Sequence, residues 1–152
     1  MPLLAAVLAL AASSIFPQEL ETAAGTPYSL DATLAKAPAV LVFWNSWLPE
    51  SAEFVPLLRE VEAAAAANGW PGAVVVFQDE SDAWTAGIGS TGAALPRVLD
   101  RRGVLLRRFR VTRAPTVVLV GRDGAVLERS GPDATQVRAL LESFGKLRLT
   151  TR

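Results

Sequence analysis

The sequence predicts a three-layer α/β domain, and three features of its pattern indicate this class. Two continuous apolar runs of strand length, residues 39–44 and 73–77, are typical of strands that are covered on both faces of a sheet. Segments with helical periodicity alternate with strand-like runs, and two strands joined by a tight turn follow in the carboxyl-terminal part. The chain of 152 residues, 51% hydrophobic and 20% charged, has the size of one domain with a substantial core.

The first half of the chain is predicted to supply a lead-in segment at residues 15–27, a short strand at residues 28–30, the first central strand and a long helix. Apolar residues at i, i+3, i+4 and i+7 from Phe54, followed by a run of alanines, indicate the helix. Asn68-Gly69 supplies a carboxyl-terminal stop, and Pro56 is expected to kink the helix.

The second half is predicted to contain two short helices, around residues 82–88 and at 104–109, and three strands, at residues 95–100, 116–120 and 125–129. Asp123-Gly124 between the last two strands is a dipeptide favoured in hairpin turns. The final helix is expected to start at Asp133, with Gln136 completing a capping box, and to end at Gly145. Residues 146–152 then form a tail.

The composition excludes several kinds of chemistry. The chain has no Cys and no His, so thiolate attack, disulfide exchange, Ser-His-Asp hydrolysis and zinc sites built on Cys or His are not available to it. We predict neither a cofactor nor a metal. Carboxylate, hydroxyl, amine and backbone groups supply the chemistry that remains.

Charge is balanced overall but distributed unevenly along the chain. Residues 1–82 carry ten acids and two bases, net −8, whereas residues 83–152 carry five acids and thirteen bases, net +8. Seven arginines lie within residues 97–113. Such a stripe can bind anionic partners or nucleic acid, but neither interleaved aromatic residues nor a nucleic-acid motif accompanies it. We interpret it as a solvated face complementary to the acidic half and expect no nucleic-acid partner.

The amino terminus has the pattern of a secretory signal peptide at residues 1–14. An apolar run at residues 3–12 is followed by small residues that offer an Ala-x-Ala-like cleavage site at residues 9–11. As a helix, residues 3–16 would span only about 21 Å of a hydrocarbon core of roughly 30 Å, so no stable membrane span is predicted. We expect export to the periplasm or the exterior; since no Lys or Arg precedes the run, an uncleaved helix, a misassigned start and a cytoplasmic location are the alternatives.

Two further motifs have structural interpretations. GIGSTG at residues 87–92 matches the dinucleotide-binding fingerprint, but no strand directly precedes it and Leu95-Pro96 interrupts any helix after it, so we predict a loop. The acids Asp79, Glu80 and Asp82 could hold a cation or form an acid/base pair. Because they follow a strand directly, we interpret them as a solvated helix amino terminus.

Two segments carry a resemblance to a known family. FWNSWLPES at residues 43–51 resembles the active-site segment of thioredoxin-like proteins of the TlpA/ResA type, whose pattern is roughly F-W-x-x-W-C-P-x-C. FRVTRAPTVVLVGRDGAVLERSG at residues 109–131 resembles the family segment with a cis-proline before a strand, and Pro115 takes that role. The resemblance implies a thioredoxin-like three-layer sandwich at residues 28–145, with a central mixed sheet and helices on both faces.

The resemblance does not extend to thiol chemistry. Leu48 stands where the family has its nucleophilic Cys, Ser51 where it has the resolving Cys, and Val42 where thioredoxins place a buried acid or amide. We therefore predict no catalytic residues. The alternative is the thiol-disulfide oxidoreductase or peroxiredoxin-like activity that the family suggests, which a chain without Cys cannot perform by a thiol route.

The resemblance implies a binding function instead. In the family, the backbone of the residue before the cis-proline pairs with an extended substrate segment, a role that falls to Ala114, followed by Pro115. Trp47, Leu48 and Pro49 would form an apolar platform beside it. We expect a redox-inactive binding or adaptor module whose partner is a protein or extended peptide; a relic groove and a structural subunit paired with an active partner are the alternatives.

Overall fold

The computed structural model describes residues 15–16, 20–79, 83–89 and 95–150; the predicted signal peptide lies outside these residues. In this part of the chain the strands are β1 (Leu20–Thr22), β2 (Pro27–Tyr28), β3 (Ala39–Trp44), β4 (Gly72–Phe77), β5 (Arg97–Asp100), β6 (Thr116–Val120) and β7 (Val126–Ser130). The helices are α1 (Leu30–Leu34), α2 (Pro49–Asn68), α3 (Ala83–Ile88), α4 (Val104–Arg108) and α5 (Ala134–Thr150). The strands form one mixed sheet in the order β2-β1-β5-β4-β3-β6-β7.

The three central strands run parallel and set the direction of the sheet. β3 pairs in parallel with β4, with Val42 opposite Val74, and β4 pairs in parallel with β5. β6 returns antiparallel to β3, placing Val117 opposite Val42, and β7 continues as an antiparallel edge strand. Because β3, β4 and β5 are parallel, the loops that follow them leave from one edge of the sheet, called here the carboxyl edge.

The unbroken apolar run of β3 is explained by helices on both faces of the sheet. All six residues of the strand are buried, and alternate side chains enter two separate cores because successive side chains point to opposite faces. Val40, Val42 and Trp44 belong to the core that contains α2 and α5, and Ala39, Leu41 and Phe43 to the core that contains α1 and α4. The three-layer α/β prediction is confirmed.

Helix α2 follows the predicted pattern closely. It begins at Pro49, a residue favoured in the first helical turn, and continues through Pro56 to Asn68. Gly69 ends it in the left-handed conformation with φ of 68°, which glycine adopts without a steric penalty.

The last helix is longer than predicted. α5 passes through Gly145 and ends at Thr150, so the expectation that it stops at Gly145, with a tail at residues 146–152, is wrong. A glycine inside a helix costs only about 1 kcal/mol relative to alanine. The apolar face continues across it, since Phe144 is fully buried and Leu147 packs against the same core, and this burial outweighs the glycine penalty.

The lead-in segment takes part in the fold. β1 pairs with β5, Glu21 lying opposite Leu99, and Phe16 is buried with its ring stacked on Phe109 at a centroid distance of 5.3 Å. The folded unit therefore begins upstream of residue 28, where the sequence placed its start.

The strand predicted at residues 28–30 stops at Tyr28, and a short helix follows it. β2 ends at Tyr28, and α1 begins at Leu30. Ser29 between them is extended, and its hydroxyl accepts a hydrogen bond from Ala32 N at 3.2 Å. A serine at this position satisfies one of the free N–H groups of the first helical turn, and this stabilises the helix.

Candidate functional site

An acid after β4 anchors the loop that leaves β3 at the carboxyl edge. Ser46 N donates a hydrogen bond to Asp79 Oδ2 at 2.8 Å, and Asp79 is buried. The interpretation of this acid as part of a solvated helix amino terminus is therefore wrong. Glu80 and Asp82, which shared that interpretation, lie outside the described residues, as do residues 90–92 of the predicted loop at residues 87–92.

Two further hydrogen bonds shape the same loop. Leu48 N donates to Asn45 Oδ1 at 3.1 Å, and Trp44 Nε1 donates to the carbonyl oxygen of Ser51 at 2.9 Å. The first bond closes a local turn of the kind that asparagine favours, and the second joins the end of β3 to the first turn of α2. The loop is thus held by backbone, indole and amide groups.

The two positions that correspond to the family's thiols lie on either side of the start of α2. Leu48 is the extended residue before the helix, and Ser51 N donates to the Leu48 carbonyl oxygen at 3.1 Å. Ser51 is only 1% exposed. Within the described part of the chain, neither its Oγ nor Asn45 Nδ2 has a hydrogen-bond partner. Val42, at the third replaced position, is buried in the apolar core.

A groove of about 360 Å³ opens beside this loop. Its apolar lining includes Leu48, Phe77, Leu106, Val111 and Ala114, and its charged lining residues are Glu50 and Arg113. Trp47 also lines it and is 57% exposed. The indole is held in place, since Nε1 donates to the Gln78 carbonyl oxygen at 3.3 Å and the ring meets Phe77 edge-on at 6.4 Å.

The structure brings together three of the five residues predicted for the groove. Trp47, Leu48 and Ala114 line it. Pro49 is exposed at the start of α2 and Pro115 is buried; neither is part of the lining. The peptide bond between Ala114 and Pro115 is cis.

The main chain of Ala114 is open at the wall of the groove. Its neighbours are engaged, because the Thr116 hydroxyl donates to the Arg113 carbonyl oxygen and Thr116 begins the ladder of β6 opposite Phe43. Among the residues that the structure describes, no hydrogen bond involves the N–H or the C=O of Ala114. Ala114, which lines the groove, therefore has one donor and one acceptor unused within the described part of the chain.

A buried ion pair, which was not predicted from the sequence, joins β5 to α2. Arg97 on β5 is 2% exposed and pairs with Glu62 of α2. The guanidinium also donates to the carbonyl oxygens of Ile88 at 2.9 Å and Gly89 at 3.1 Å. These hydrogen bonds hold the carboxyl-terminal end of α3 against the sheet. We therefore assign Arg97 a structural role. Arg97 could not be singled out from the sequence, because it is the first of seven arginines in a stripe that looks uniformly solvated.

The charged and buried groups described here do not form a metal centre. Where the structure describes the chain, its carboxylates form no cluster of three or more able to hold a metal ion. Asp100, a buried acid at the end of β5, caps α4, since its carboxylate accepts from Val104 N at 2.7 Å and Leu105 N at 2.9 Å. Of the described helices, none is long and apolar enough to cross a bilayer.

The fold and the site together define a thioredoxin-like domain in which both thiol positions hold other residues. The chain belongs to the redoxin family, whose model matches residues 10–141, and this confirms the resemblance found in the sequence. No curated protein matches the chain at a significant level.

Several solved structures share the fold. A putative thiol:disulfide interchange protein DsbE from Chlorobium tepidum has a TM-score of 0.69 at 23% identity, covering 87% of this chain and 92% of that one. A secreted Mycobacterium tuberculosis disulfide oxidoreductase homologous to E. coli DsbE has a TM-score of 0.67 at 21% identity, covering 85% and 95%. StoA from Bacillus subtilis has a TM-score of 0.62 at 21% identity, covering 82% and 93%. At these identities the likeness establishes the fold alone.

Proposed function

We propose that this redoxin domain is a redox-inactive adaptor that binds a protein or an extended peptide in the groove between Trp47 and Ala114. The observation that carries the proposal is the open main chain of Ala114 at the groove wall. An extended peptide can pair with such a backbone segment as an added strand, gaining main-chain hydrogen bonds while side-chain pockets supply specificity.

The lining of the groove suits an apolar side chain of such a peptide. Trp47 is 57% exposed, whereas Trp44, Trp70 and Trp84 are buried. A large aromatic residue held over an apolar recess is the kind of group that dominates binding energy at protein interfaces. The volume of about 360 Å³ lies at the lower end of the range for ligand pockets, which fits one or two side chains of a longer partner.

Thiol activity has no route in this chain. Without Cys, no group can attack a disulfide or reduce a peroxide by the family's chemistry. We expect the purified protein neither to reduce insulin nor to consume peroxide above background. Turnover in either assay would contradict this proposal.

We further propose that the domain works outside the cytoplasm. The apolar amino terminus supports this, and two of the proteins that share its fold are described as secreted or as an exposed lipoprotein. The mature amino terminus should lie near Ala12, as read by mass spectrometry of protein from the native host. An intact Met1 would contradict export by a cleaved signal.

Peptide selection tests the binding proposal directly. A phage-displayed library of linear peptides is selected on the wild-type domain, and the recovered peptides are labelled with fluorescein and titrated with the domain by fluorescence anisotropy. The variant Trp47→Ala should weaken their binding by about tenfold or more, as for an interface hot spot. It should keep its fold, because the side chain is largely exposed.

The matched control is Val126→Ala, which removes an exposed apolar side chain, 41% exposed, from the edge strand β7. It should leave peptide affinity unchanged. If the library yields no binders, or binders that Trp47→Ala retains fully, the groove is a relic and the proposal is wrong.

A further inference from the structure

Arg113 lines the groove and belongs to a stripe of arginines, most of which have no acidic partner among the described residues. Of the seven arginines in residues 97–113, only Arg97 is buried and ion-paired. The other six are exposed, and within the described part of the chain none of them lies within ion-pair distance of an acid. The stripe is therefore solvated, as expected from the sequence, and the described acids of the first half of the chain do not form ion pairs with these six arginines.

Five of these residues are called here the arginine rim: Arg101, Arg102, Arg107, Arg110 and Arg113. Arg101 and Arg102 directly follow β5, so they lie at the carboxyl edge that also carries the loop of Trp47. Arg113 lines the groove itself. Arg108 is not included, because its guanidinium lies over the ring of Phe16 at 5.3 Å.

Local contacts place Arg107 of the rim close to Trp47. A Cβ built on Gly103 would lie 3.1 Å from Gln78 Nε2 and 3.4 Å from Arg107 Nη1, so these two side chains flank the same glycine. Gln78 is the residue whose carbonyl oxygen accepts the hydrogen bond from the Trp47 indole. Arg107 also donates to the Arg102 carbonyl oxygen at 2.6 Å. Among the groove's lining residues, Glu50 is the acid that opposes this charge.

We infer that the partner is an acidic extended peptide, which lays an apolar side chain in the groove and places Asp or Glu residues against the arginine rim. This inference rests on the proposed peptide-binding function. Guanidinium groups bind carboxylates in a bidentate geometry, and a cluster of one sign raises the local concentration and association rate of an oppositely charged partner.

The lining of the groove favours a peptide over a nucleic acid. Surfaces that bind single-stranded nucleic acid combine positive charge with several aromatic residues on which successive bases stack. Here Trp47 is the exposed aromatic residue of the groove, and the rest of the lining is mainly aliphatic. The open main chain of Ala114 suits a peptide backbone.

The composition of the selected library tests the inference separately from the proposed function. Peptides recovered on the wild-type domain should be enriched in Asp and Glu around one apolar residue. A recovered peptide is then synthesised with its acids and with Gln in their place. The acidic form should bind about tenfold more tightly at about 0.01 M salt, and the difference should shrink at 0.15 M, because the screening length falls from about 30 Å to about 8 Å.

A charge-matched pair of variants locates the effect. Arg107→Gln combined with Arg113→Gln should remove most of the preference for the acidic peptide. The control, Lys36→Gln combined with Lys146→Gln, makes the same charge change at exposed positions away from the groove. Lys36 precedes β3, and Gly145 beside Lys146 lies near Asn68 at the far end of α2. The control should bind the acidic peptide as the wild type does.

The outcomes separate the two claims. Binders without enrichment in acids, or equal affinity for the acidic and Gln forms, would overturn the inference and leave the peptide groove standing. Tighter binding of a thymidine oligonucleotide than of the acidic peptide would show that the partner class is wrong. A library without Trp47-dependent binders would overturn the proposed function and this inference with it.

Discussion

Replacing Ser51 by Ala should stabilise the protein. The Ser51 side chain is 1% exposed on the first turn of α2, and within the described residues its hydroxyl has no hydrogen-bond partner. A buried hydroxyl without a partner costs about 1–3 kcal/mol in proteins. Buried hydroxyl groups in proteins usually have a hydrogen-bond partner. The unpaired hydroxyl of Ser51 therefore lowers the stability of the folded state.

The size of the gain follows from what the substitution adds and removes. Ser51→Ala removes the unpaired hydroxyl, and alanine has the higher helix propensity, by up to about 0.5 kcal/mol. Against this, the lost oxygen leaves a void smaller than a methyl group, which costs about 1 kcal/mol or less. We expect a net stabilisation of about 1 kcal/mol, or a rise in Tm of about 4 °C for a chain of this size.

Urea denaturation followed by circular dichroism measures the change, and Ser143→Ala is the matched control. Ser143 also lies on a helix, but its hydroxyl contacts Glu128 Oε2 and the Leu140 carbonyl oxygen, each at 2.6 Å. That variant should lose about 1 kcal/mol. If Ser51→Ala is destabilised by as much as the control, the hydroxyl has a partner and the reasoning is wrong.

Three other changes test further parts of the structure. Leu48→Cys combined with Ser51→Cys should form an intramolecular disulfide with measurable reductase activity, and failure to form it in a folded variant would contradict the alignment of this loop. Glu62→Gln should lower stability by about 3 kcal/mol in urea denaturation, because it leaves a buried guanidinium without its carboxylate; a loss under about 1 kcal/mol would contradict the burial. The hydrogen bond from Arg138 lowers the pKa of Glu60 below its ordinary 4.5, so its contribution is present above that pH and is lost as pH falls through the folded pKa. In Arg138→Ala, NMR titration should find the Glu60 pKa returned upward; an unchanged value would refute the pairing.

The sequence predicts the central strands well because their pattern depends on burial alone. β6 has the predicted bounds, since all five of its residues are buried between the helical layers. β1 and α1, with three and five residues, are too short for any periodicity to emerge. The sequence predicts too early an end for α5, because the helix continues past Gly145 through tertiary packing. Local helix propensity does not report such packing.

The sequence predicts several residues of the candidate site, but not the long-range contacts that support them. Trp47, Leu48 and Ala114 could be placed together because the family's motifs name them. The bond from Ser46 to Asp79 spans 33 residues, and the pair of Arg97 with Glu62 spans 35. No local pattern links residues so far apart, so acids and arginines that are buried in the structure look solvated in the sequence.

The hydrogen bonds that shape the loop after β3 come from Asn45, Trp44 and the Asp79 carboxylate, and none uses a side chain at position 48 or 51. Architecture and reactivity are therefore separate properties of this loop. Substitutions at positions 48 and 51 can change the chemistry of the loop. We expect the surface beside the loop to keep its shape whichever residues occupy these two positions.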